Sequence, residues 1–289
     1  MEIASSGEAL LAMTYNKMSI RSLDLLDLPL IARYRNDVLT LDSARTLTRG
    51  QPLGAADLLA YVNPARHIYA AVSNGDKVPT MLGGITHVTG ETFAKLLYLA
   101  PLSKLDHTEI PALVENLAME AGAWGAFHVL AEVDETSDAF IPLRNSGFSV
   151  YAWQRMWDVS SLTAADSKSD WERMKSVDLP AVQSLYYQIV PPLLHPIESQ
   201  PQKASGWISN EAEKCYVGVN SGMYGIVLTP LIHPEASAVS AKLCALIANL
   251  PNRGGRPVYL CVRSYQAWLE PVLADLGASA AARQAVMVK

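Results

Sequence analysis

His87 and Glu132 are two side chains whose types could move a proton between them if they face a common cleft. His87 ends a strand-like run, residues 79–88, and Glu132 lies in another, residues 127–133. If both strands border one cleft, the imidazole and the carboxylate would form a general acid–base pair. The plain alternative is that each is a hydrogen-bonded part of a sheet. The remaining histidines (His67, His107, His128, His195 and His233) show no pair at metal-ligand spacing on one helix, so no metal is expected. Cys215, Cys244 and Cys261 are an odd set without Cys-x-x-Cys spacing. They read as reduced core thiols of a cytoplasmic protein rather than a disulfide frame. Gly83-Gly84 lies inside a strand, not between strand and helix, so it reads as a bulge and not a phosphate loop. Residues 252–256 form a basic loop whose default role is a solvated turn. Trp153, Trp157, Tyr186, Tyr187 and Trp207 suit an aromatic cleft, a seam between domains, or ordinary packing.

The chain must be large enough to position such groups. Its 289 residues exceed the usual ~100–150 of one domain, so two domains are expected. Half the residues are hydrophobic and 18% are charged, which fits buried cores and not disorder. A net charge of -5 argues against a general nucleic-acid binder. No apolar run reaches the roughly 20 residues that span a bilayer, so no membrane partner is expected. Met-Glu-Ile-Ala at the start places no basic residue ahead of 10–13, which argues against a secretory signal. Oligomeric state is left open.

Periodicity gives the elements. Residues 18–23 form a short strand and 24–36 a helix with Leu25, Leu28, Ile31 and Ala32 in phase, capped by Asp24 or Asp27. Residues 45–52 have no strong period and read as loop. Strands follow at 67–73, 79–88 and 92–99, with a turn signal at Asn74-Gly75-Asp76. An amphipathic helix at 109–121, a strand at 127–133, a short helix at 137–145 and a strand at 148–159 complete a first unit. Residues 160–170 have the composition of a linker. The order then repeats: strand 171–177, helix 178–190, loop 195–204, strands 214–219 and 223–231 across a turn at Asn220-Ser221-Gly222. Helix 238–250, strand 257–262, helix 268–276 and strand 285–288 follow.

Two local patterns mark the repeat. Asp27-Leu28-Pro29 and Asp178-Leu179-Pro180 stand at the start of the first helix of each unit. Ser146-Gly147-Phe148 and Leu276-Gly277-Ala278 stand at the end of each. Shared punctuation at both ends points to duplication, with an N-terminal domain at 18–160, a linker at 161–170 and a C-terminal domain at 171–289.

This α/β (α+β) order, read twice, resembles the GNAT superfamily of N-acetyltransferases. The segment 132–148, ending Arg144-Asn145-Ser146-Gly147-Phe148, resembles that family's closing turn and helix, and 257–278 repeats the outline. The resemblance implies two tandem domains, each a mixed, mostly antiparallel sheet flanked by helices. It also implies acetyl-CoA or another acyl-CoA as cofactor and a small-molecule or protein amine as acceptor. In such proteins a splayed strand offers its backbone to the pantetheine arm. A glycine-containing loop and helix start then hold the pyrophosphate. A Tyr often protonates the thiolate, and a Glu or a water chain often deprotonates the amine.

The two units depart from that pattern unequally. In the first, residues 103–109 contain no glycine, and Asp106 and Glu109 would oppose a pyrophosphate. Asp106 or Thr108 reads more simply as a helix cap, and Leu143 stands where the Tyr is expected. In the second, the strand containing Val227, Leu228, Thr229 and Leu231 leads through His233-Pro234-Glu235 to Ser237, Ala238 and Ser240. These small residues leave room for backbone approach, and the serines offer hydroxyl donors. They are the expected cofactor contacts, although Ser237 equally suits a helix cap. Leu273 takes the expected Tyr position, so Tyr265 nearby is the substitute acid. The competing expectation is a GNAT-fold module that binds a metabolite or a partner protein without transfer.

Overall fold

The structure, a computed structural model, describes residues 19–54, 67–75, 78–105, 109–162, 171–201, 206–209 and 214–289. The first half opens with β1 (Ser19–Ser22), α1 (Leu28–Tyr34), β2 (Leu39–Thr40) and α2 (Ser43–Arg49). β3 (His67–Gly75), β4 (Val78–His87) and β5 (Phe93–Ala100) follow, then α3 (Ile110–Ala123), β6 (His128–Asp134), α4 (Phe140–Asn145) and β7 (Ser149–Asp158). The second half runs β8 (Trp171–Arg173), α5 (Leu179–Ile189), β9 (Gly206–Ser209), β10 (Cys215–Ser221), β11 (Ile226–Ile232), α6 (Val239–Ala248), β12 (Val258–Arg263), α7 (Leu269–Asp275) and β13 (Ser279–Val288).

The repeated Asp-Leu-Pro does the same physical work in both halves. The Asp27 carboxylate accepts from the Asp24 N–H at 3.0 Å, and the Asp178 carboxylate from the Lys175 N–H at 2.7 Å. Each closes a 3-10 turn, Leu25–Asp27 or Ser176–Asp178. Each proline then falls in the first turn of α1 or α5, where its missing N–H costs nothing.

A single 13-stranded sheet runs through both halves in the order β1-β3-β4-β5-β6-β13-β7-β12-β11-β10-β9-β8, with β2 paired to β5. The last strand of the chain, β13, inserts between β6 and β7: Val286 pairs with Glu132 on one side and Ala152 on the other. In return β7 pairs with β12, for example Cys261 with Met156. Each half therefore supplies the strand that completes the sheet of the other. Helices cover both faces of the sheet: α3 in the first half and α6 and α7 in the second lie on one, α1 and α5 on the other. Leu96 and Leu99 pack against Leu113 and Leu117 of α3. Val258, Leu260 and Val262 pack against Leu243 and Leu246 of α6 and Leu269 of α7. Alternation along β12 sends Tyr259, Cys261 and Arg263 to the opposite face.

Several sequence expectations need correction. Within residues 45–52, expected as loop, 45–49 belong to α2, because Asp42 accepts from the Arg45 N–H at 3.1 Å and Gly50, at φ +88°, ends the helix. Its apolar residues Ala44 and Leu47 pack on Met156 and Val227 across the seam between the halves, so local periodicity shows no core face. The turn between β10 and β11 begins after Asn220 and Ser221, which are strand residues; Ser221 pairs with Ile226. β8 stops at Arg173, and β13 starts at Ser279, well before residue 285. β9 was not anticipated. The bulge at Gly83-Gly84 is present as a register shift between Gly84 and Ile85. A Cβ on Gly84 would stand 2.3 Å from the Tyr98 ring. The turn residue Asp76, the cap candidates Asp106 and Thr108, and most of the linker lie outside the described residues. Among the described residues no helix is long and apolar enough to cross a membrane.

Candidate functional site

Each half contains one parallel strand pair that parts after three residues. β5 and β6 pair from Phe93–Lys95 to His128–Leu130, and β11 and β12 from Ile226–Leu228 to Val258–Leu260. The two splays are filled differently. In the first half main chain enters the gap: Leu39 pairs with Leu99, the Leu41 N–H donates to the Leu97 carbonyl at 2.9 Å, and the Glu132 N–H donates to the Leu41 carbonyl at 2.9 Å. In the second half a side chain does the work. The buried Gln266 carboxamide accepts from the Ile232 N–H at 3.0 Å and donates to the Pro230 carbonyl at 2.7 Å. A carbonyl and an N–H two residues apart on one strand edge are the groups that one peptide residue of a neighbouring parallel strand engages. Gln266 thus occupies the place of an amide.

On the sheet face away from α3 and α6, both halves line one cavity of about 260 Å³. Val227, Thr229, Leu231 and Tyr265 come from the second half, and Lys95 and Glu132 from the first. The loop after α5 crosses over the first half, where Ile197 packs on Phe93 and Leu130, and so delivers Glu198 to the cavity. The mirror-image crossing is α2, whose Thr48 carbonyl accepts from the Tyr224 N–H at 3.0 Å.

The cavity holds an unusual set of buried charges. Arg263 Nε lies 3.2 Å from Glu198 Oε1, and Lys95 Nζ lies 3.7 Å from Asp42. Arg263 also donates to Gln154, whose amide donates to Gln284 at 2.9 Å. The Ser43 N–H donates to Glu132 Oε2 at 2.9 Å, and Tyr151 donates to Glu198 Oε1 at 3.5 Å. Burial raises the Glu198 pKa above the ordinary carboxylate value, with Arg263 and Lys95 opposing. Asp42 holds the Lys95 ammonium charged, raising its pKa against the effect of burial. Burial is the largest effect on the Arg263 charge and opposes it, but Glu198 together with Tyr151, Cys261 and Glu132 outweighs it and raises the pKa well above its ordinary value. The Tyr265 phenol is raised well above its ordinary value by burial and then by Glu198, so it stays protonated. Burial pushes the Cys261 thiol up to about 12, which makes it inert as a nucleophile at neutral pH.

Five sequence-identified residues therefore converge: Glu132, Val227, Thr229, Leu231 and Tyr265. Leu228 points to the opposite face, into the core under α6. Ser237, Ala238 and Ser240 sit exposed at the start of α6 and do not line the cavity. His87 lines a neighbouring cleft with Asp42, Arg45 and Arg49, and Lys95 borders both spaces. His87 Nε2 donates to the Glu91 carbonyl at 2.9 Å, and its ring stacks on His67 at 5.7 Å. Lys95, Glu198, Arg263 and Gln266 escaped the sequence reading. The available signal was a charge on an otherwise apolar strand, Lys95 in β5 and Arg263 at the end of β12.

The fold has counterparts among solved structures. A GCN5-related N-acetyltransferase from Sphaerobacter thermophilus aligns with a TM-score of 0.57 at 10% identity, covering 94% of this chain and 95% of that one. The fold is that of the GNAT superfamily. A tandem GNAT protein from the clavulanic acid biosynthesis pathway aligns with a TM-score of 0.55 at 13% identity, over 94% of this chain and 98% of that one. A Pyrococcus horikoshii structure described as an acetyltransferase gives 0.56 at 11% identity, over 99% and 92%. No family model and no curated relative matches this GNAT-fold chain.

Proposed function

We propose that the chain is an acyl-CoA-dependent N-acyltransferase in which the second half holds the acyl-CoA and the shared cavity receives the amine. One observation carries this reading: among the described residues, main chain enters the splay between β5 and β6 but not that between β11 and β12. The β11 edge at Pro230 and Ile232 already accommodates a carboxamide, so it fits an amide-bearing arm once Gln266 withdraws. Val227, Thr229 and Leu231 would border that arm, and Ser237, Ala238 and Ser240 would approach the phosphates at the start of α6, a ten-residue helix. Bound acyl-CoA supplies an acyl group as a thioester.

The chain's own residues divide the proton work. Glu132, held by the Ser43 N–H, accepts a proton from the acceptor ammonium and frees the nitrogen lone pair. The protonated Tyr265 phenol holds the proton that a departing thiolate needs. The attacking nitrogen forms the new N–C bond as the C–S bond breaks, and the proton it sheds restores the phenol. Because a thiolate leaves readily, positioning by the cavity contributes more than acid strength.

The Gln266 bridge also favours a second reading, a GNAT-fold module that binds a metabolite or partner protein in the cavity without transfer. Calorimetry with acetyl-CoA separates the two. The transferase reading requires binding by wild type or by Gln266→Ala, and loss of that binding in Ala238→Trp. Absence of heat from both proteins at millimolar acetyl-CoA overturns it and leaves the module.

A further inference from the structure

The neighbouring cleft lined by His87 is larger than the cavity, at about 520 Å³, and within the ~300–1,000 Å³ of small-molecule sites. Lys95, Ser199 and Asn220 border both spaces, so the two adjoin there. Their chemistry differs. The cleft has three permanent cations, Arg45, Arg49 and Lys95, against two carboxylates, Asp42 and Glu91. Asp42 is engaged within the wall: its carboxylate accepts from the Arg45 N–H at 3.1 Å and lies 3.7 Å from Lys95 Nζ. That leaves two guanidiniums facing the single carboxylate of Glu91, an excess of one positive charge. Arg45 and Arg49 stand four residues apart on α2, which puts them side by side on one helix face. Both engage other groups, but a guanidinium has five N–H donors, so such bonds leave donors for a ligand. His67, its ring stacked on His87 at 5.7 Å and on Trp124 at 5.3 Å, adds an imidazole to the wall, and Asn220 adds an amide.

We infer that this cleft is an oxyanion site, in which Arg45 and Arg49 hold a phosphoryl or carboxylate group. The forked donors of adjacent guanidiniums match the paired oxygens of either group. The rest of such a ligand points past Lys95, Ser199 and Asn220 into the cavity. Under the transferase reading, the acceptor is therefore an amine whose far end carries the anion. That role rests on the transferase reading; the binding of the oxyanion does not.

Calorimetry on the full chain without acyl-CoA, at fixed ionic strength, tests the site with inorganic phosphate and with sodium acetate. At least one should bind. Heat from phosphate alone assigns a phosphoryl group, heat from acetate alone a carboxylate, and heat from both a site for either. Arg45→Met and Arg49→Met should each weaken the bound anion about tenfold by removing a charge-assisted contact. Should either variant fail to fold, Thr89→Glu, an exposed position on the cleft wall, adds a carboxylate there and should also weaken binding. Absence of heat from both anions at high millimolar concentration overturns the inference, and so does binding that is unchanged in folded Arg45→Met and Arg49→Met. Loss of acetyl-CoA binding in those two variants would assign the arginines to the cofactor and overturn it as well. Anion binding without acetyl-CoA binding keeps this inference and removes the transferase reading. Acetyl-CoA binding without anion binding does the reverse.

Discussion

The side-chain oxygen of Gln266 lies 3.0 Å from the backbone nitrogen of Ile232, closing the strand edge on which an acyl-CoA arm would rest. Replacing Gln266 with Ala leaves the Ile232 N–H and the Pro230 carbonyl buried and unpaired. Each lost partner costs about 1–3 kcal/mol, so a clear fall in Tm is expected. The same change opens the edge, and acetyl-CoA affinity should rise as stability falls. Thermal melts with and without acetyl-CoA measure both effects; a variant that is destabilised and not rescued by the ligand contradicts the placement of the cofactor.

Asp27 gives a pH dependence with a defined sign. Its carboxylate accepts two bonds from Arg21, at 2.6 and 2.7 Å, beside its cap on the Asp24 N–H. The Arg21 hydrogen bonds lower its pKa below the ordinary 3.8, and burial opposes them. A depressed folded value means that its stabilisation is present above 3.8 and is lost as pH falls through the folded value. Asp27→Asn, which keeps an oxygen for the Asp24 N–H but loses the charge paired with the part-exposed Arg21, should therefore melt below wild type at neutral pH, by about 0.2–1 kcal/mol. The gap should narrow below pH 3.8. An equal gap at pH 7 and pH 2.5 would show that the Arg21 pair contributes nothing.

Ala238 stands in a left-handed conformation, φ +50° and ψ +41°, as the residue before α6. A side chain there costs roughly 1–2 kcal/mol, and glycine avoids the cost. Ala238→Gly should raise the Tm and preserve acetyl-CoA binding, because the backbone path at the helix start is unchanged. Denaturant melts check the first point; a destabilised Gly variant would mean that the Ala238 methyl contributes packing that outweighs the strain.

The sequence made the local rules legible. Asp27 and Asp178 repeat one cap, Gly84 bulges where Tyr98 crowds it, and Glu132, Val227 and Tyr265 reach one cavity. What it hid depends on contacts between distant segments. α2 is a helix because Asp42 caps it and because Ala44 and Leu47 find apolar partners in the other half. Residues 279–283 of β13 are largely exposed and carry no buried alternation, so only pairing with β7 reveals them as strand. Glu198 lies on a loop, and its site appears only when that loop packs Ile197 on Phe93 and Leu130 of the first half and brings the carboxylate to Arg263. Gln266 is an ordinary polar residue until the splay brings Ile232 within reach.

The exchange of β7 and β13 predicts how the chain tolerates being cut. β13 pairs with β6 and β7, and β7 pairs with β12, so neither half closes its sheet alone. Expressed separately, residues 1–162 would present β6 with an unpaired buried edge, and residues 171–289 would present β12 likewise. Each fragment should be insoluble or molten, with weak chemical-shift dispersion. Co-expressed, the fragments should form a one-to-one complex that survives gel filtration and melts close to the intact chain. A soluble, cooperatively folded N-terminal fragment would show that β13 is not needed to complete the first half.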